Sequence, residues 1–133
     1  MPEEKAIKVV IIDDEKSFCE LLSFVLKKEG FEVSCYNNSQ EALLNIVYEK
    51  PELIILDLDM PVLNGFSLLE HIKKDIKEIH SKILIVTNLK YTDSGILIDE
   101  NYVKSLGANG LIHKTGDLDE MIRKIKEITQ LNS

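Results

Sequence analysis

"LIILDLDMP", residues 53–61, is an apolar run that ends in aspartates. A half-exposed strand would alternate polar and apolar residues, so an unbroken run reads as a strand covered on both faces. Asp57 then stands where buried structure meets the surface. The same form occurs in "IKVVIIDDE" (7–15), whose β-branched run stops at Asp13 and Asp14, in "KILIVT" (82–87), and in the short "LIHK" (111–114). "FEVSCY" (31–36) alternates as a short strand. Helical patterns fill the intervals. "EKSFCELLSFVLKKEG" (15–30) places Phe18, Leu21, Leu22, Val25 and Leu26 at helical spacing, with Lys27 and Lys28 in the last turn and Gly30 as the stop. Ser39 is placed to cap a second helix carrying Ala42, Leu43, Ile46 and Val47 before Pro51. After the turn from Pro61 to Gly65, Phe66, Leu68, Leu69 and Ile72 mark a third helix. A fourth is expected from near Ser94 to Leu106. Asp117 and Glu120 form a capping-box-like start to a fifth, with Leu118, Met121, Ile122, Ile125 and Ile128 inward.

Five strands alternating with five helical segments define an α/β chain. With right-handed crossovers the expectation is a doubly wound five-stranded parallel sheet of order 2-1-3-4-5, a flavodoxin-like three-layer sandwich. At 133 residues, with 44% apolar and 29% charged residues, the chain reads as one globular domain over 1–133, its core spanning about 7–130. No linker, internal repeat or low-complexity segment interrupts it. The net charge of −7 argues against nucleic-acid and anionic membrane surfaces, which need clustered Lys and Arg. The apolar run Val9 to Ile12 is too short for a signal or spanning segment, which points to a cytoplasmic protein. Cys19 and Cys35 lack metal-type spacing and read as buried or half-buried thiols.

In open α/β sheets the ligand crevice lies beyond the carboxyl ends of the strands, where strand order reverses. In order 2-1-3 that point lies between the first and third strands, so Asp13, Asp14 and Asp57 converge there. Packed alone, three carboxylates repel, and a positive group must balance them. A divalent cation held by carboxylates, a backbone carbonyl and waters matches the coordination of magnesium. Thr87 and Lys114, at the ends of the fourth and fifth strands, add a hydroxyl and a fixed cation. The set describes phosphoryl transfer to a carboxylate nucleophile. His71, His80 and His113 have no ligand-like spacing and are assigned no chemistry.

The segments "IIDDE", "LIILDLDMPVLNG", "ILIVTN" and "LIHKT", in this order and at strand ends, together resemble the receiver domain of two-component response regulators over roughly residues 7 to 130. The resemblance implies that Asp57 is the phosphoacceptor, that Asp14 binds magnesium directly and Asp13 largely through water, and that the Asp59 backbone carbonyl completes the protein ligands. Thr87 and Lys114 would contact phosphoryl oxygens. It further implies a histidine kinase or phosphotransfer protein as donor, a downstream protein target or output domain, and possible homodimerisation on phosphorylation. The chain would be a switch rather than an enzyme, limited to self-phosphorylation and autodephosphorylation. It ends one short helix past Lys114, as expected of a stand-alone receiver or one cut from a longer regulator.

Three positions depart from the family pattern. Leu111 stands where the family usually has Tyr or Phe, and Tyr91 or Tyr102 is a candidate replacement. Thr115 stands where proline is usual. A non-proline cis bond costs about 2.5–4 kcal/mol, so a trans bond with a rearranged loop, or else a strained cis bond, is expected. Asn88 replaces a small residue and would narrow the approach of water to an acyl phosphate. The interval from Thr87 to Lys114 is also longer than usual, as a lengthened fourth helix or a loop insertion. Two other readings stand beside the leading one. Leu111 and Thr115 suggest a degenerate receiver that binds partners without phosphorylation. "DLD" (57–59) resembles the D-x-D of haloacid-dehalogenase-like phosphohydrolases, although that pair normally follows a first strand and would leave Asp13 and Asp14 without a role.

Overall fold

The computed structural model describes residues 5–60, 64–75 and 80–130, with only the backbone of residue 75; part of the turn from Pro61 to Gly65 lies outside them. The apolar runs form a single sheet. β1 (Lys8–Ile12), β2 (Glu32–Tyr36), β3 (Leu53–Leu56), β4 (Lys82–Thr87) and β5 (Gly110–His113) are all parallel, in the order β2-β1-β3-β4-β5. The expected order and class therefore hold. Between the strands run α1 (Lys16–Lys28), α2 (Ser39–Glu49), α3 (Gly65–Asp75) and α4 (Glu100–Ser105), and α5 (Leu118–Gln130) closes the fold.

The sheet is buried on both sides, which explains why its central strands carry almost no polar residue. Alternate residues Val10, Ile12, Ile54, Leu56, Ile83 and Ile85 pack with Ala42, Ile46, Leu68, Leu69, Ile72 and Val103 of α2, α3 and α4. Their neighbours Val9, Ile11, Leu53, Ile55, Leu84 and Val86 pack with Leu22 and Leu26 of α1 and with Met121, Ile125 and Ile128 of α5. The strand period of two thus feeds two cores, one on each face. Fully burying each such side chain contributes about 1.5–3 kcal/mol, so the two apolar layers are the main stabilising term. The expected inward positions are met except at Leu21 and Val47, which are exposed.

Register aligns the strand ends. Ile12 pairs with Leu56, so Asp13 and Asp57 emerge side by side, and the Asp57 N–H donates to the Ile12 carbonyl at 3.1 Å. Thr87 pairs with His113, and the Lys114 N–H donates to the Thr87 carbonyl at 3.1 Å.

Two local expectations need correction. Ser39 does not cap α2. Asn38 does, in an extended conformation, its side-chain oxygen accepting from the N–H groups of Gln40 (2.8 Å) and Glu41 (3.1 Å) while Ser39 is buried in the first turn. The fourth helix does not begin near Ser94. Residues 88–99 fold back on themselves, with an antiparallel bridge between Tyr91 and Leu97 and hydrogen bonds from Thr92 N–H to Ile96 O and from Ile98 N–H to Lys90 O, both 2.8 Å. The cause is turn chemistry. Thr92 Oγ accepts from the Ile96 N–H at 2.9 Å, and Gly95 adopts φ +91°, which ordinary residues rarely do. Asp99 then caps the six-residue α4 by accepting from the Tyr102 N–H at 2.8 Å. The extra length after Thr87 therefore lies in a folded loop and not in a lengthened helix. At α5, Asp117 caps, its carboxylate accepting from the Asp119 N–H at 3.0 Å, while Glu120, expected to close a capping box with it, pairs with Arg123 at 3.7 Å.

Candidate functional site

Asp13 and Asp57 leave adjacent strands at the carboxyl edge and then do the same thing. Each bends into a turn in which one carboxylate oxygen accepts from the N–H two residues on: Asp13 Oδ1 from Glu15 at 2.9 Å, Asp57 Oδ1 from Asp59 at 3.0 Å. This leaves both Oδ2 atoms to meet the side chain arriving from the end of β5. Lys114 Nζ lies 2.8 Å from Asp13 Oδ2, 3.0 Å from Asp57 Oδ2 and 3.0 Å from Glu15 Oε2. The Phe18 ring, its centroid 4.8 Å from the ammonium, adds a cation–π contact.

Asp13 is 2% exposed and Asp57 4%. Burial pushes the Asp13 carboxyl up to about 6, against the opposing hydrogen bond from Lys114. Burial also disfavours the charged Lys114, but hydrogen bonds to Asp13, Asp57 and Glu15 outweigh it and hold the ammonium above its ordinary range. Lys114 is therefore a permanent cation at the base of the site. Asp14 is exposed, and the carboxylate oxygens of Asp13, Asp14 and Asp57 lie within 4.8 Å of one another. A cavity of about 420 Å³, lined by Asp14, Glu15, Asp57, Asp59, Asn88 and Lys114, opens over them. The donors are all hard oxygens, and one of the acids is open to solvent. That chemistry fits a small divalent cation and not a soft metal.

The structure thus brings together Asp13, Asp14, Asp57 and Lys114, with Asp59 joined through its backbone N–H. Thr87 differs. It is fully buried, is not among the cavity-lining residues, and its hydroxyl oxygen accepts from the Leu89 N–H at 3.2 Å. Asn88 does line the cavity. The sequence reading missed Glu15, the third acid of "DDE", and Phe18, which passed for an ordinary core residue of α1. It also missed Gly65. A Cβ at that position would lie 2.2 Å from the Asp57 carbonyl oxygen and 2.4 Å from the Leu58 Cα, so only glycine lets α3 start against the backbone that carries Asp57.

At the departing positions, Leu111 is buried in the core, and its N–H donates to Glu100 Oε2 at 3.3 Å. Glu100 in turn pairs with Lys124 of α5 at 3.2 Å. Tyr102 meets Phe66 edge to face at 6.5 Å, whereas Tyr91 is largely exposed. The Lys114–Thr115 bond is trans, as is every peptide bond among the described residues. Among the described residues, no histidine joins the acid cluster.

The family model described as the response regulator receiver domain matches residues 9–126. The chain is also similar to solved structures. The receiver domain of the Francisella response regulator 1452 aligns with a TM-score of 0.80 at 23% identity, over 96% of this chain and 99% of that one. A CheY-like receiver domain protein from Methanospirillum hungatei JF-1 gives 0.80 at 24% identity over 96% of each chain. The BeF3-activated N-terminal receiver domain of Klebsiella pneumoniae RstA gives 0.78 at 22% identity, over 92% of this chain and 98% of that one. These likenesses carry the fold, and the family match spans the five strands but for Lys8 of β1, and most of the fifth helix: the chain belongs to the response regulator receiver domain family.

Proposed function

We propose that this receiver accepts a phosphoryl group on Asp57 from the phosphohistidine of a histidine kinase or phosphotransfer protein, and signals through changed contacts with a downstream protein or output domain. The observation that carries this reading is the Lys114 ammonium bridging two buried carboxylates beneath an open, acid-lined cavity. An Asp57 oxygen bonds to phosphorus as the P–N bond to the donor imidazole breaks, and the ring nitrogen leaves with the electron pair. The Asp59 N–H holds Asp57 Oδ1, which leaves Oδ2 as the attacking atom. Lys114, already 3.0 Å from that oxygen, passes its hydrogen bond to the incoming phosphoryl group without moving far. Magnesium held by Asp13, Asp14, Asp57 and the Asp59 carbonyl would neutralise charge on the phosphoryl oxygens. The Thr87 hydroxyl accepts from the Leu89 N–H at 3.2 Å and keeps its own proton to donate to a phosphoryl oxygen, so one side chain would join the loop of residues 88–99 to the site. Asn88 at the cavity wall slows the approach of water and lengthens the life of the acyl phosphate.

The family match over 9–126 supports reading 1–133 as one receiver domain and a signalling switch. No helix among the described residues is long and apolar enough to cross a membrane, and with the net charge of −7 this supports a cytoplasmic protein that does not bind nucleic acid itself. Phosphorylation-driven homodimerisation belongs to the same reading. Fluorine NMR with beryllofluoride tests it. A protein-bound fluoride signal that needs magnesium and vanishes in Asp57→Asn is expected; no bound signal in the unmodified protein would favour a phosphorylation-independent binding module.

A further inference from the structure

Two thiols on the α1 side of the sheet have no part in this chemistry. Cys19 on α1 is 2% exposed, and Cys35 on β2 is half-buried; both are free. They line one surface groove of about 530 Å³, together with Lys16, Phe24, Lys27 and Asn37. Packing alone does not require two sulfurs to share a groove that opens to solvent. The Cys35 thiol donates to the Cys19 carbonyl at 3.3 Å, so its sulfur already rests against the backbone of the other cysteine. The Cys19 thiol is turned toward the Asp13 carbonyl at 3.7 Å.

We propose that Cys19 and Cys35 form a redox-modification site in which a hydroperoxide drives an intramolecular disulfide, Cys35 being attacked first and Cys19 resolving it. The Cys35 sulfur attacks the peroxide O–O bond, taking one oxygen as sulfenic acid and releasing an alcohol, or water from hydrogen peroxide. The Cys19 sulfur then displaces that oxygen as water, so two thiols lose two electrons and two protons while one peroxide is reduced. The roles follow from exposure: both sulfurs line the groove, but the half-buried Cys35 meets an oxidant before Cys19, which is 2% exposed.

The test is peroxide treatment of the reduced protein, followed by alkylation under denaturing conditions, intact mass and a non-reducing peptide map. The expected result is a monomer lighter by two hydrogen atoms, unalkylated, with a peptide pair joined through Cys19 and Cys35 and reversed by a dithiol. Cys19→Ser should stop at a Cys35 sulfenic acid that dimedone traps. Full alkylation of both cysteines after peroxide, or linkage only between two chains, would overturn the proposal. Because both outcomes are read on the unmodified protein, the test does not depend on the variant folding.

Discussion

One ammonium, that of Lys114, answers the buried acids Asp13 and Asp57 and the exposed Glu15 at 2.8–3.0 Å. Replacing it, as in Lys114→Met, leaves the two buried carboxylates facing each other uncompensated, and breaking a buried pair costs about 3 kcal/mol or more. Urea unfolding at pH 8 should show that loss. At pH 5 it should shrink, because Asp13 then takes up a proton. Asp13 also sets a pH dependence in metal-free protein. Its folded value of about 6 lies above its reference value of 3.8, so the native state holds the proton more tightly. Its contribution is therefore most favourable below about pH 4 and is lost as pH rises to about 6, the reverse of an ordinary paired carboxylate. Subtracting the stability profile of Asp13→Asn from that of the unmodified protein should leave a downward step in that window. An upward step would contradict the assignment. Gly65→Ala should cost about 1–3 kcal/mol by thermal unfolding, because its Cβ meets backbone that cannot rotate away. The acids and Lys114 were legible, since Asp13 and Asp57 directly follow apolar runs read as strands and Lys114 ends the short strand "LIH". Glu15 and Phe18 were not, because an acid in a strand-to-helix turn and a Phe at helical spacing carry no sign of Lys114, and the Leu89 N–H on the Thr87 hydroxyl is a loop contact that no strand pattern foretells.

Each element was readable where periodicity was long. α5, with Met121, Ile122, Ile125 and Ile128 buried, lies where its spacing predicts, and Ile125→Ala should cost about 2–5 kcal/mol through the cavity it opens between α5 and the sheet. Caps and short elements were less legible. Asn38 and Ser39 are both good caps by type, and only backbone geometry decides between them; Asn38→Ala should cost about 1 kcal/mol, whereas a cost of only a few tenths would return the cap to Ser39. In the segment 88–106 the apolar residues Ile96, Ile98, Tyr102 and Val103 do suit a helix. The turn around Thr92 and the left-handed Gly95 override that pattern and leave α4 six residues long.

The whole molecule is a sheet between two apolar layers with its polar chemistry confined to one edge. β1, β3 and β4 are buried on both faces, so their amides should exchange with deuterium only through global unfolding, while those of residues 88–99 exchange by local opening. The loop of residues 88–99 is tied to this edge by the Leu89 N–H on the Thr87 hydroxyl. The parallel order was legible because strict alternation leaves few topologies, and the edge position of the acids followed from it. What the alternation does not contain is the lateral packing that gives Lys114 its partners. Phosphorylation of Asp57 is tested most directly by the intact mass of the protein after incubation with magnesium and acetyl phosphate. A single phosphoryl adduct is expected that requires magnesium, is absent in Asp57→Asn, and is long-lived, with a shorter life in Asn88→Ala. An adduct of equal yield in Asp57→Asn would contradict it.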